Sequence, residues 1–91
     1  MKKILITRRL LKTCEEKASK IFDVRLNTND ELYSQSKIIE LSQGCDAILT
    51  SLTEKMDKDT IDKLSNSVKV ISNFAVGFGN IDLEAAKKKG I

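Results

Sequence analysis

Val68-Lys69-Val70-Ile71-Ser72-Asn73-Phe74-Ala75-Val76-Gly77-Phe78-Gly79-Asn80-Ile81-Asp82-Leu83-Glu84-Ala85-Ala86 is the stretch that decides the fold. Val68, Val70 and Ile71 are β-branched and read as a strand. Gly77 and Gly79, one residue apart, allow a sharp turn and a close backbone approach to a ligand. Asp82 then has the chemistry of a helix N-cap, and Gly90 that of the residue that closes a helix. Strand, glycine turn and capped helix form one parallel-sheet unit, and the same order recurs upstream.

Working outward, Ile4 to Thr7 reads as a first strand. Leu11, Cys14, Ala18 and Ile21 recur at spacings of three and four, the apolar face of a first helix. Phe22, Val24 and Leu26 alternate with Asp23 and Arg25, as in a half-exposed edge strand. Asn27 to Asp30 is turn-like. Ile38, Ile39 and Leu41 mark a second helix over residues 32–43, ending near Gly44. Cys45 to Thr50 is a third strand. Asp57 caps a third helix, with Met56 and Ile61 placed as a hydrophobic staple and Ile61 and Leu64 on its buried face. Ile91 would begin a fifth strand.

Strict alternation of strand and helix predicts an α/β fold with a parallel sheet. An alternating second strand beside a near-continuous apolar first one fits a flavodoxin-like order of 2-1-3-4, with the fifth strand cut off at the C-terminus. Right-handed crossovers then put the first helix on one face and the other three on the opposite face. Apolar residues of strands three and four on the first helix's side are left without cover. A homodimer through this face, exchange of elements with a neighbour, or only marginal stability is the expected consequence.

The chain has 91 residues, enough for one small domain, with 41% hydrophobic and 32% charged residues. No apolar run approaches the roughly 18 residues of a membrane span. The start, Met1 to Thr7, reads as a strand and not a secretion signal. Cys14 and Cys45 are the two cysteines, both expected to be reduced and buried in a cytoplasmic protein. There is no histidine, which removes the commonest general base. The net charge of +3 is spread among thirteen acids, and only Lys87-Lys88-Lys89 forms a run. Cations in the last turn of a helix offset its dipole, and four aromatics offer no stacking platform. No nucleic-acid partner is implied.

In open α/β sheets ligands collect beyond the carboxyl ends of the strands. Those ends are Thr7-Arg8-Arg9, Thr50-Ser51-Leu52-Thr53 and Ala75 to Gly79. The last leads into a helix start and suits a carboxylate or phosphate, unless it is an ordinary strand-to-helix turn. It is not a dinucleotide fingerprint, because the third glycine position of G-x-G-x-x-G falls on Asp82. A phospho-receiver domain would need an aspartate where the third strand ends in Thr50 and Ser51. Arg8 and Arg9 could meet an anion, although arginines at a strand end are more often simply solvated.

Asn73 to Asp82, continuing through Leu83-Glu84-Ala85-Ala86-Lys87-Lys88-Lys89-Gly90-Ile91, resembles the substrate loop and following helix of the D-2-hydroxyacid dehydrogenases. Ile6-Thr7-Arg8 and Asp46-Ala47-Ile48-Leu49-Thr50 with Leu52-Thr53 resemble that family's first and third strand ends, closest to its glyoxylate and hydroxypyruvate reductase branch. The resemblance implies that residues 1–91 are a partial substrate-binding domain, and that a separate nucleotide-binding domain, absent here, carries NAD or NADP. It implies a small 2-oxo or 2-hydroxy acid as substrate, its carboxylate held by the backbone amides of Val76 and Gly77, with Leu52 lining the pocket. The family's catalytic arginine, and its histidine with a glutamate partner, come from later in the chain. No catalytic and no cofactor-binding residue is therefore expected here, and the 91 residues alone are expected to be inactive. Gly79 stands where the family usually has aspartate, and Leu10 and Leu11 where it often has proline. The residues also allow a stand-alone flavodoxin-like module for ligand binding or interaction.

Overall fold

In the computed structural model, residues 1–51, 53–74 and 79–91 are described. Four strands, β1 (Lys3–Ile6), β2 (Asp23–Arg25), β3 (Ala47–Ser51) and β4 (Val70–Phe74), form one sheet of order β2-β1-β3-β4. All three pairings are parallel, with Ile4 opposite both Val24 and Ala47, and Ile48 opposite Ile71. The helices α1 (Lys12–Ile21), α2 (Gln35–Leu41), α3 (Lys58–Asp62) and α4 (Leu83–Lys89) alternate with them. The expected α/β architecture and strand order are thus found.

The main buried cluster lies on one face. Leu5 and Ile48 from the sheet meet Ile38 of α2, Ile61 of α3, Ala85 and Ala86 of α4, and Met56, Leu64 and Val68 from the connections. The caps explain where these helices begin. Ser34, Asp57 and Asp82 each accept a hydrogen bond from the backbone N–H three residues on, at Lys37, Thr60 and Ala85. That satisfies one otherwise orphaned donor per helix. Met56 and Ile61, the expected staple, are both fully buried in this cluster. Gly90 closes α4 with φ 84°, and the N–H of Ile91 reaches back to Ala86 O at 2.9 Å.

The opposite face is largely open, with Ile6 its one fully buried apolar side chain among the described residues. Ile4, Ala47, Leu49 and Val70 line an open groove there with Ala18 and Phe22, and Val70 is 54% exposed. Here the helix expectation needs correction. No residue of α1 is buried, and Leu11 and Ile21 are exposed. Cys14 is exposed too, so only Cys45 is a buried thiol, although both are free. The cause is the width of the apolar stripe. It is four residues, Leu11 at the cap included, beside a polar remainder of Lys, Glu, Thr and Ser, and α1 leans on β2 instead of covering β3 and β4.

Some element boundaries also differ. α2 starts at Gln35 instead of 32 because Ser34 takes the cap. Residues 27–31 are drawn into a turn around buried Asn27, whose Nδ2 donates to Thr7 O and Glu31 O, while its Oδ1 accepts from Glu31 N. Val68 is buried just ahead of β4, which runs on to Phe74, and Leu64 packs just beyond α3.

Candidate functional site at the carboxyl ends of the strands

The strand ends converge on a buried polar cluster. Glu54, 2% exposed, is its centre. Its Oε1 accepts from the Ser51 backbone N–H at 2.9 Å and from Ser51 Oγ at 3.0 Å. The Thr7 hydroxyl donates to the same oxygen, and the Thr53 hydroxyl to Oε2. A buried carboxyl group is tolerated only with such partners. The ends of β1 and β3 and the connection after β3 are thereby fixed to one another.

A second cluster adds β4. Thr50 Oγ1 donates to Asn73 Oδ1 at 2.8 Å, and Asn73 Nδ2 donates to Asn80 Oδ1 at 2.9 Å. Asn80 Nδ2 donates to Glu54 O at 2.8 Å and Ser51 O at 3.0 Å. The backbone continues the join. Met56 N–H donates to Asn80 O at 2.7 Å, Asp82 N–H donates to Met56 O at 2.8 Å, and Met56 and Ile81 form an isolated parallel bridge.

Arg8 is committed within the chain. Its Nε lies 2.9 Å from Asp30 Oδ1, and its other nitrogens donate to Asp30 Oδ2 and to Thr53 Oγ1. The guanidinium, helped by the Arg9 backbone N–H, holds the Asp30 carboxyl well below its usual value, at about 2. Arg9 donates to Thr28 O. Both arginines therefore bind acceptors of their own chain, where the sequence suggested solvated or anion-binding groups.

Leu52, Val76 and Gly77, the expected substrate-binding residues, lie outside the described residues. The structure describes the residues that flank them, Ser51 and Thr53 on one side and Phe74 and Gly79 on the other. The start of α4 is capped by its own side chain. Asp82 Oδ1 takes the Ala85 N–H at 3.0 Å, which places a carboxyl group at the helix start. Among the described residues no three His, Cys, Asp or Glu side chains converge as a metal site would require.

With this geometry established, the chain can be set beside known proteins. A sequence model of the D-isomer specific 2-hydroxyacid dehydrogenase catalytic domain matches residues 4–91. The chain belongs to this family. The glycerate dehydrogenase of Hyphomicrobium methylovorum is 38% identical over 90 residues, covering 99% of this chain and 28% of that protein. The glyoxylate reductase of Thermococcus onnurineus is 32% identical over 89 residues, covering 98% of this chain and 26% of its own length. Among solved structures, a Polaromonas sp. protein described as a D-isomer specific 2-hydroxyacid dehydrogenase, NAD-binding, superposes with TM-score 0.95 at 28% identity. It covers all of this chain and 28% of that one. The chain thus spans under a third of the length of each of these family members.

The Glu54 and Asn80 clusters went unnoticed in the sequence. The spacing of Ser51, Thr53 and Glu54 was the available signal, since hydroxyls flanking an acid after a strand are ready to saturate it.

Proposed function

We propose that residues 1–91 are the substrate-holding part of an NAD(P)-dependent enzyme that reduces a small 2-oxo acid to a D-2-hydroxy acid, in the cytoplasm. The family match over residues 4–91 carries this proposal. The nicotinamide, NADH or NADPH, is bound by a separate nucleotide-binding domain and supplies the hydride. The chain's own residues hold and orient the acid. The backbone amides of Val76 and Gly77 donate to its carboxylate, and Leu52 lines the pocket around its carbon chain. The described frame supports this role, because both segments spring from ends fixed by Glu54 and Asn80.

Titration of the 15N-labelled chain with glyoxylate tests the proposal. Two charge-assisted hydrogen bonds, less the entropy of association, correspond to a dissociation constant of about 1–10 mM. The Val76 and Gly77 amide resonances should move most, and Gly77→Val should weaken the effect by crowding the approach. Shifts confined to other residues, or an undiminished effect in Gly77→Val, would overturn the assignment.

A further inference from the structure

Seven large apolar side chains are exposed among the described residues, and four of them belong to the two elements that flank the open groove. Leu11 and Ile21 stand at the two ends of α1, Val70 and Phe74 at the two ends of β4. The pairs sit at matching heights. α1 returns antiparallel to the strands, so Leu11 is level with their carboxyl ends. Ile21 is level with their amino ends, where Asp23 N–H meets Lys2 O. Leu11 to Ile21 is about 15 Å at 1.5 Å per residue, and Val70 to Phe74 about 13 Å at 3.3 Å per residue. Phe74 shares the groove side of β4 with Val70 and Ser72, by strand alternation. On α1, Lys12, Glu15, Glu16 and Lys20 turn to the β2 flank beside Leu26. That leaves Cys14 and Ile21, two helical turns apart, on the flank that faces β3 and β4.

We propose that the chain pairs with a second copy of itself through α1 and the β3–β4 half of the sheet, about a two-fold axis parallel to the strands. This rotation keeps the heights and exchanges the sides, which gives the expected self-association a symmetry and named contacts. Leu11 of one copy meets the partner's Phe74, and Ile21 meets the partner's Val70. The two α1 helices lie side by side and parallel between the sheets, each over the half that the other copy leaves open. Size points the same way. A stable interface takes roughly 800 Å2 from each partner. The face spanned by the chain's two longest extents, 33 and 26 Å, is close to that area, so a dimer has to use nearly all of it, α1 included. The pairing is apolar and not charge-driven. The amino end of the groove carries Lys2 and Lys69 against one acid, Asp46, and the rotation brings these ends of the two copies together. Salt that screens their repulsion should strengthen the dimer.

Sedimentation equilibrium is measured on the unsubstituted chain, on Ile21→Lys and on Leu83→Lys. Both side chains are exposed in the single chain, so neither change threatens the fold, and circular dichroism checks this. Ile21→Lys should raise the dimer dissociation constant about a hundredfold, because each dimer loses two buried isoleucines. Leu83→Lys, on α4 across the sheet, should leave it unchanged. A short bismaleimide, adding one thiol across each of its double bonds, should link the exposed Cys14 of the two copies in the unsubstituted chain but not in Ile21→Lys; Cys45 is buried and does not compete. A monomeric unsubstituted chain, a dimer indifferent to Ile21→Lys, or an equal loss from Leu83→Lys would overturn the proposal. So would a dimer that salt dissolves, or one whose Cys14 thiols do not link.

Discussion

Gly79 and Gly90 are expected to respond to alanine with opposite signs. Gly90 closes α4 with φ 84°, in the left-handed region, while Gly79 is not among the glycines with positive φ. A Cβ built at either position meets no atom within 4 Å, so sterics with neighbours do not decide the outcome. At Gly90 only the backbone conformation matters, and an L-residue there costs about 1–2 kcal/mol. At Gly79 the folded state loses nothing. The unfolded chain loses freedom, which stabilises the protein by about 0.4–1 kcal/mol. For a domain of this size 1 kcal/mol corresponds to roughly 4–8 °C. Gly79→Ala should therefore raise the thermal midpoint by about 2–8 °C, and Gly90→Ala should lower it by about 4–16 °C, followed by circular dichroism. Gly79→Asp, the residue the family usually carries, should also be tolerated. A fall of several degrees in Gly79→Ala would show that the turn before α4 needs a glycine.

Two further outcomes follow from the surface. The Asp30 carboxyl should titrate at about 2 by 13C NMR, because Arg8 hydrogen-bonds its charged form. A folded value below the unfolded one of about 3.9 means that its stabilisation is complete above that pH. It is lost as pH falls from about 4 through about 2, and Asp30→Asn should remove this part of the acid dependence; an ordinary titration midpoint would contradict the ion pair. On the bare face, the chain should sediment as a dimer or larger species at micromolar concentration, and Val70→Lys should shift it to monomer by placing a charge in the apolar groove. A monomeric unsubstituted chain with a high, concentration-independent melting point would show that this face needs no cover.

The strand order was readable because it depends on local signals that agree with one another. The β-branched run at Val70 and Ile71, the caps at Asp57 and Asp82 and the closing glycine at Gly90 each fix an element by short-range chemistry. The state of α1 was not readable in the same way. Its periodicity marks which side is apolar, but not whether anything lies opposite, and Leu11, Cys14 and Ile21 proved exposed. The start of α2 was missed because the cap falls on Ser34, and the turn before it was not readable because Asn27 is satisfied by Thr7 O, twenty residues back across the sheet. The polar frame of the site was hidden for the same reason. Thr7, Ser51, Glu54, Asn73 and Asn80 are unremarkable polar residues until three parallel strands bring their ends together. Leu52, Val76 and Gly77 were named from resemblance, and their roles rest on the titration proposed above.

The central claim is a division of labour, in which these residues hold the 2-oxo acid and another domain holds the nicotinamide. Its most direct test joins residues 1–91 to the remainder of the Hyphomicrobium methylovorum glycerate dehydrogenase, in place of that protein's matching segment. NADH or NADPH oxidation is then followed with glyoxylate and hydroxypyruvate. The fusion should reduce at least one of the two acids, and the 91-residue chain alone should reduce neither. Reproducible turnover by the homogeneous chain, or a folded, cofactor-binding fusion that reduces neither acid, would contradict the claim.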